Sequence, residues 1–378
     1  MKKKLLFVLS LSVIGALASC RDVTESSSSN VQEDSENSGQ QSSSQTSTST
    51  ADITEEDLAK GITTYTNSKG ATLNLTRSGI YKASGAPHVN SYPDDHVKQK
   101  LLVAPISFKK GTGSDSNYIE PTDDLLDKIN VTFTADDETM KEKTGSDLYS
   151  VKSFYEHSSF EKGAFDVVVL PTWIEYKGTA QDFKNSTSQA GVSMSTYVHN
   201  WYLTEYAKEN HGALANFKDE NGQVYKWTDF DTDQDGYIDL LWQVYAYKHA
   251  KNDTSFWWAY VTYTGSNSNL RDPNVMTLAW ASTEFMTESC NGYDPHTFIH
   301  ETGHTLGVND FYDYNNAWKP MGSVDYMDQN LGDHNAYTKF TYGWINPYIL
   351  KEEDLAGGKT AEITLRAGTT SGDALVLA

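Results

Sequence analysis

Hydrophobic positions along the chain form continuous runs of strand length. Four of these runs are rich in β-branched and aromatic residues and end at polar positions: 101–108, 165–170, 240–245 and 275–285. Residues 192–209 contain neither Gly nor Pro, and Tyr197, Val198, Trp201 and Tyr206 recur there at near-helical spacing. The pattern predicts a mixed α/β (α+β) fold in which a helix backs a sheet, and these aromatic residues are expected in its core.

The N-terminus has the pattern of an export signal. Lys2, Lys3 and Lys4 precede an apolar run, 5–17, that is too short to span a bilayer comfortably. The run closes with Leu-Ala-Ser-Cys at 17–20, which resembles a bacterial lipobox. This resemblance implies a lipoprotein signal peptide at 1–19, lipidation of Cys20, and an exported lipoprotein anchored to the outer face of the cell membrane. An ordinary secretory peptide with an incidental cysteine is the alternative.

The composition changes twice before the first predicted strand. Residues 20–50 begin with the lipidated cysteine and continue as a Ser/Thr-rich stretch without aromatic residues, which predicts a disordered linker. Residues 51–99 are compatible with an N-terminal extension or a propeptide remnant. A globular domain is predicted to cover 100–378. Its last residues alternate as in a strand, which is compatible with a longer protein that continues beyond Ala378.

Charge and cysteine content limit the partners of the protein. The formal net charge of −21 argues against nucleic acid, because phosphate binding needs a basic face. Cys290 is the one cysteine besides Cys20. If Cys20 is lipidated, Cys290 is expected to be unpaired and buried as a small hydrophobic residue.

The stretch His300-Glu301-Thr302-Gly303-His304 has the spacing of a catalytic zinc site. Residues four apart lie on one helix face, so both imidazoles can reach one ion. A third protein ligand would leave the fourth tetrahedral position open for a water molecule. Glu301 is then placed to act as the general base of a metallopeptidase. An amphipathic helix that carries two histidines by chance is the alternative.

The residues that flank this motif support a helix with defined ends. Asp294 and Pro295 predict an acidic N-cap followed by a proline at the first helical position. Gly307 stands where a helix ends with a left-handed residue, and the chain then presents Asp310 as a candidate third zinc ligand.

A second acidic pattern occupies residues 231–239. Asp231, Asp233, Asp235 and Asp239 stand at positions one, three, five and nine of a calcium loop, with Gly236 at the sharp bend. Position twelve is a tryptophan rather than a glutamate, so this is not a regular EF-hand. The pattern favours a structural calcium ion over the alternative, an acidic turn that leads into a strand.

From about residue 100 to residue 347 the chain resembles the immune inhibitor A family of secreted bacterial zinc metallopeptidases. The resemblance rests on 300–313, on 322–327, which is similar to the family's methionine-containing turn, and on 148–155, 335–339 and 343–345. The chain departs from the family pattern at Asn309, where proline is typical, and at Val324, where tryptophan is common.

The resemblance implies a metzincin-like domain with a twisted sheet, a backing helix, a zinc-binding active-site helix and a methionine turn at Met327. His300 and His304 are implied as zinc ligands and Glu301 as the base, with Asp310 in a place where better-known metzincins have histidine. Candidates for the group that stabilises the oxyanion are Tyr326, His334 and Tyr337. The expected function is hydrolysis of extracellular proteins or peptides. A non-catalytic surface lipoprotein, an adhesin or binding module, is the alternative.

Overall fold

The computed structural model describes part of the chain, and the predicted signal peptide, Cys20 and linker lie outside it. The described residues are Thr64–Thr66, Thr72–Asn74, Thr76–Arg77, 98–249, 256–314, 322, 324–342, 344–345, 347–350, 355–357 and 365–377. Among them, no helix is both long enough and apolar enough to cross a membrane.

The chain contains both strands and helices. The strands are β1 (Thr64–Thr66), β2 (Thr72–Asn74), β3 (Thr76–Arg77), β4 (Lys100–Ser107), β5 (Asp166–Val169), β6 (Ile174–Glu175), β7 (Tyr237–Ile238), β8 (Leu240–Tyr245), β9 (Tyr260–Tyr263), β10 (Asn274–Val275), β11 (Thr277–Ser282), β12 (Tyr348–Leu350) and β13 (Leu375–Leu377). The helices are α1 (Asp123–Thr134), α2 (Asp137–Thr144), α3 (Val151–Ser158), α4 (Ala180–Ser186), α5 (Ala190–Ala207), α6 (Glu284–Thr287), α7 (His296–Thr305), α8 (Tyr326–Gln329), α9 (Ala336–Tyr342) and α10 (Gly368–Ser371).

The described residues fall into two compact units. One unit contains residues 98–345, and the other contains residues 64–77 with 347–377. In the second unit, β12 pairs with β13 in parallel and with β3 in antiparallel orientation. The catalytic domain predicted at 100–378 extends across both units, and its boundaries stay a prediction.

A mostly parallel sheet forms the centre of the first unit. Its strand order is β5-β4-β8-β11-β9, with β6 also paired to β4, and β9 is the antiparallel strand at the edge. The predicted strands are confirmed, except that the run 275–285 is divided. Val275 belongs to β10, which pairs with β7, and β11 covers Thr277–Ser282. Glu284 and Phe285 belong to helix α6. The mixed α/β fold expected from the hydrophobic pattern is therefore present.

Helices cover both faces of this sheet. Alternate residues of β8 point to opposite sides, so Leu241 packs with Met194 of α5 in one core. On the other side, Trp242 packs with Phe298 of α7 and with Met327 of α8. The predicted backing helix is thus α5, two residues earlier than expected. Helix α7, which carries the zinc motif, lies against the opposite face.

Candidate metal centre

Helix α7 begins one residue later than the sequence predicts. Pro295 is at the N-cap position rather than inside the helix. Asp294 still stabilises the start of the helix, because its Oδ1 accepts a hydrogen bond from the backbone N–H of His296 at 2.9 Å. At the other end, Gly307 has φ +90°, the left-handed conformation expected there. The backbone can therefore turn sharply after His304 and bring Asp310 back toward the helix.

Three side chains converge beside α7. Oδ1 of Asp310 lies 2.8 Å from Nε2 of His300 and 3.3 Å from Nε2 of His304. One ligand atom from each of the three residues lies within 4.8 Å of the other two. The structure thus brings together the three residues that the sequence singled out as zinc ligands.

Each histidine presents Nε2 to the centre. In His304, Nδ1 lies 2.8 Å from the carbonyl oxygen of Val308, which is the contact of an Nδ1–H donor. Nδ1 of His300 is buried and has no hydrogen-bond partner in the described part of the chain. The two rings are almost perpendicular, with centroids 4.8 Å apart, so their Nε2 atoms approach the carboxylate from different directions.

The charges in the centre are strongly coupled. Burial would raise the pKa of Asp310, but hydrogen bonds and charge interactions with both histidines outweigh burial and hold it well below its usual range. Burial would lower the pKa of His304, but Asp310 and Glu301 outweigh this effect and raise it to about 9. The centre is therefore a compact cluster of opposite charges.

Glu301 lies on the same helix and is 9% exposed. Its pKa is raised, first by burial and then by the negative charge of Asp310, while His304 and His300 oppose the increase. A carboxyl group with a raised pKa exchanges protons more readily near neutral pH than an exposed glutamate does. Its position and its proton affinity are suited to a general base.

Hydroxyl groups from three other elements donate hydrogen bonds to carbonyl oxygens of α7. Tyr155 of α3 donates to the carbonyl oxygen of Ile299 at 2.7 Å. Tyr342 of α9 donates to Gly303 at 3.0 Å, and Tyr263 of β9 donates to His304 at 2.9 Å. Trp242 adds a hydrogen bond from its indole to Thr302 Oγ1 at 3.0 Å. The helix that carries the histidines is therefore fixed from several sides.

Met327 packs directly beneath this helix. A Cβ atom added at Gly303 would lie 2.6 Å from the sulfur of Met327, so the Met327 side chain lies directly against the helix backbone. The segment predicted as a methionine turn forms the short helix α8. Its N-cap is Asp325, which accepts the N–H of Met327 at 2.8 Å. The backbone N–H of Phe311 donates to Met327 at 3.0 Å, which connects this segment to the residue after Asp310.

Asp325 links this short helix to α9. Its Oδ2 accepts hydrogen bonds from the backbone N–H of Asn335 at 2.8 Å and from Thr338 Oγ1 at 2.6 Å. Burial raises the pKa of Asp325, but interactions with His334 and these hydrogen bonds outweigh burial and lower it. The ionised carboxylate thus stabilises the support under the candidate metal centre.

Two of the three candidates for oxyanion stabilisation are core residues. Tyr326 is buried, and its hydroxyl lies 3.4 Å from the carbonyl oxygen of His296. His334 is buried among aromatic rings and lies 3.5 Å from Asp325. Neither side chain can contact a substrate, which corrects the expectation for both. Tyr337 is exposed beside Phe311 and stays a candidate.

A groove follows the edge strand β9. Its volume is about 440 Å³, and it is lined by Gln189, Val192, Tyr260, Thr262, Tyr263 and 264–266. Tyr263 belongs both to this groove and to the support of α7, through its hydrogen bond to His304. The groove is therefore connected to the candidate metal centre by one side chain.

The acidic loop brings together three of its four aspartates. Ligand atoms of Asp231, Asp233 and Asp239 lie within 4.8 Å of one another, whereas Asp235 is not part of this group. Gly236 has φ +90°, as the expected sharp bend requires. Burial raises the pKa of Asp239 to about 7, although hydrogen bonds from Thr232 and from the N–H of Lys100 oppose it.

Two further groups of potential ligands were not foreseen from the sequence. One contains Cys290, Asp294 and His296, and the other contains His249, Glu284 and Glu288. Cys290 is buried, as the sequence predicts. Asp294 and His296 already form a pair at 2.5 Å at the start of α7. The spacing of His249, Glu284 and Glu288 along the sequence gives no indication of this second group.

Comparison of the chain with protein-family models finds no match. Comparison with characterised proteins finds no match in sequence either. The function is therefore inferred from the geometry of the centre.

Proposed function

We propose that this chain is a zinc-dependent endopeptidase, in which Glu301 is the general base. The observation that carries the proposal is the convergence of His300, His304 and Asp310 beside a buried glutamate on the same helix. The resemblance to immune inhibitor A metallopeptidases and the metzincin-like architecture are part of this proposal. The contact between Met327 and Gly303 beneath the helix supports them.

The three ligand-type residues fit zinc better than calcium or magnesium. Two imidazole nitrogens and one carboxylate oxygen are ligands that zinc accepts in catalytic sites. Calcium and magnesium prefer sets made of oxygen atoms. A bound zinc ion would supply a Lewis acid and would lower the pKa of a coordinated water molecule.

The proton transfers of the reaction are carried out by Glu301. Glu301 takes a proton from the attacking water, whose oxygen forms a bond to the carbonyl carbon of the scissile peptide. When the C–N bond breaks, the same carboxyl group delivers that proton to the leaving amine nitrogen. General acid–base transfer of this kind contributes about 10²- to 10⁴-fold in rate. The enclosed position of Glu301 keeps bulk water away from the transferred proton.

A peptide is the substrate class that suits the surroundings of the centre. The groove along β9 adjoins an edge strand, where an extended chain can form backbone hydrogen bonds. We propose extracellular proteins or peptides as substrates, on the basis of the N-terminal export pattern. Lipidation of Cys20 would keep the enzyme at the cell surface, and mass spectrometry of the mature N-terminus tests this. An unmodified Cys20 would contradict it.

We also propose that the acidic loop binds a structural calcium ion. The cluster of Asp231, Asp233 and Asp239 and the sharp bend at Gly236 support this. Asp235 is less well placed, because it is not part of the cluster.

Casein hydrolysis tests the central proposal. Wild-type protein should lose activity with 1,10-phenanthroline and regain it when zinc is added, and Glu301→Ala should be inactive. Glu142→Ala, an exposed glutamate on helix α2, is the matched control and should remain active. Equal activity with and without the chelator and in Glu301→Ala would refute the proposal. A chain that takes up no zinc would instead favour a non-catalytic binding module.

A further inference from the structure

The two oxygens of Asp310 have different partners. Oδ1 faces both histidines, at 2.8 Å and 3.3 Å from their Nε2 atoms. Oδ2 accepts a hydrogen bond from the hydroxyl of Tyr314 at 2.5 Å. A carboxylate with each oxygen engaged by a different group cannot rotate without breaking one of these contacts. Its orientation toward the centre is therefore fixed from outside the ligand set.

A second tyrosine supports this arrangement. The ring of Tyr312 is stacked near His300, with centroids 6.4 Å apart and planes 25° apart. It also meets the ring of Tyr314 edge to face, at 5.3 Å and 75°. Tyr312 thus lies between a histidine of the centre and the tyrosine that holds Asp310. Ring packing of this kind limits the positions that the Tyr314 side chain can adopt.

We propose that Tyr314 is a positioning residue that makes Asp310 bind zinc through Oδ1 alone. The inference rests on the proposed zinc site. A hydrogen bond to the second oxygen of a ligand carboxylate fixes its direction and weakens that oxygen as a competing ligand. Without this hydrogen bond, the Asp310 carboxylate would no longer be held in the direction of the two histidines, and ordering it would take up part of the binding free energy for zinc.

The alternative role for Tyr314 is purely structural. The residue is 49% exposed, so its hydroxyl would find water if Asp310 were not there. A hydrogen bond that only stabilised the local chain would change the melting temperature and leave the affinity for zinc unchanged. The affinity for zinc therefore distinguishes the two roles without a measurement of peptidase activity.

The zinc dissociation constant of Tyr314→Phe tests the inference. We expect zinc binding, measured by competition with a chromophoric chelator, to be about 10- to 100-fold weaker than in the wild type. In the cobalt-substituted protein, a changed orientation of the Asp310 ligand should alter the visible absorption of the variant. Tyr206→Phe is the matched control, because Tyr206 packs on His211 away from the centre and should bind zinc like the wild type.

A double-mutant cycle separates positioning from general damage. In an Asp310→Ala background, Tyr314→Phe should cause no further loss of zinc affinity, because the partner of the hydroxyl is already absent. Zinc affinity of Tyr314→Phe within about twofold of the wild type, with an unchanged cobalt spectrum, would overturn the inference. An additional loss in the Asp310→Ala background would also overturn it. Absence of zinc binding by the wild type would refute the proposed function itself.

Discussion

Gly303→Ala should damage the metal centre through the residue that packs beneath it. The added Cβ would lie 2.6 Å from Met327 Sδ and 3.2 Å from Tyr155 Oη. Normal contact needs about 3.5–4.0 Å, so α7 and Met327 must separate by roughly 1 Å. Met327 is fully buried and cannot turn its sulfur into solvent. The carbonyl oxygen of Met327 accepts a hydrogen bond from the backbone N–H of Phe311. A shift of Met327 therefore also moves Asp310, the residue before Phe311.

We expect Gly303→Ala to cause a small decrease in the unfolding free energy and a large decrease in the catalytic rate. Overpacking a core costs about 1–3 kcal/mol, and alanine recovers about 1 kcal/mol of helix propensity relative to glycine. Unfolding free energy should therefore decrease by about 0–2 kcal/mol. A displacement of about 1 Å among catalytic groups can lower the rate about 100-fold.

Urea unfolding, zinc titration and casein hydrolysis of the same preparation measure these quantities. Gly113→Ala is the matched control, because no atom lies within 4 Å of its added Cβ. Combining Gly303→Ala with Met327→Ala should cost less than the sum of the two single changes, since the smaller side chain makes room. Wild-type zinc affinity and activity in Gly303→Ala would refute the reasoning.

Three further predictions concern stability. Removal of calcium, with free zinc held constant by a zinc buffer, should lower the melting temperature without removing zinc; an unchanged melting temperature would contradict this. Asp325→Asn should lower the unfolding free energy by about 1–3 kcal/mol at neutral pH. Because the folded pKa of Asp325 is below the unfolded value, this difference should be present above about pH 4 and should shrink as the pH falls through the folded pKa in urea titrations. Gly163→Ala should destabilise the fold by about 1–3 kcal/mol in urea unfolding, since its Cβ would meet the buried Trp344 ring.

The strands of the central sheet could be predicted because they are buried on both faces. Such strands are continuous apolar runs, as β4 and β8 are. The edge strand β9 was not predicted, because its residues are only partly buried and their pattern is weak. Helix α6 was interpreted as part of a strand, since Phe285 extends the apolar run and tertiary contacts decide where β11 ends.

The centre could be predicted as far as local spacing determines geometry. Helical periodicity places His300 and His304 together, and the glycine turn returns Asp310. The supporting tyrosines come from α3, α9 and β9, distant in sequence, so no local pattern reveals them. Tyr326 and His334 are close to the motif along the chain, yet tertiary packing buries them.

Metal content and casein hydrolysis of Glu301→Gln, measured beside the wild type, are the decisive test of zinc-dependent peptidase activity. The substitution keeps the three ligands and removes the group that accepts the proton. We expect one zinc per chain in both proteins and a rate about 10²- to 10⁴-fold lower in the variant. A zinc-loaded Glu301→Gln that cleaves casein like the wild type would rule out Glu301 as the general base, and a zinc-loaded wild type that does not cleave casein would rule out the peptidase.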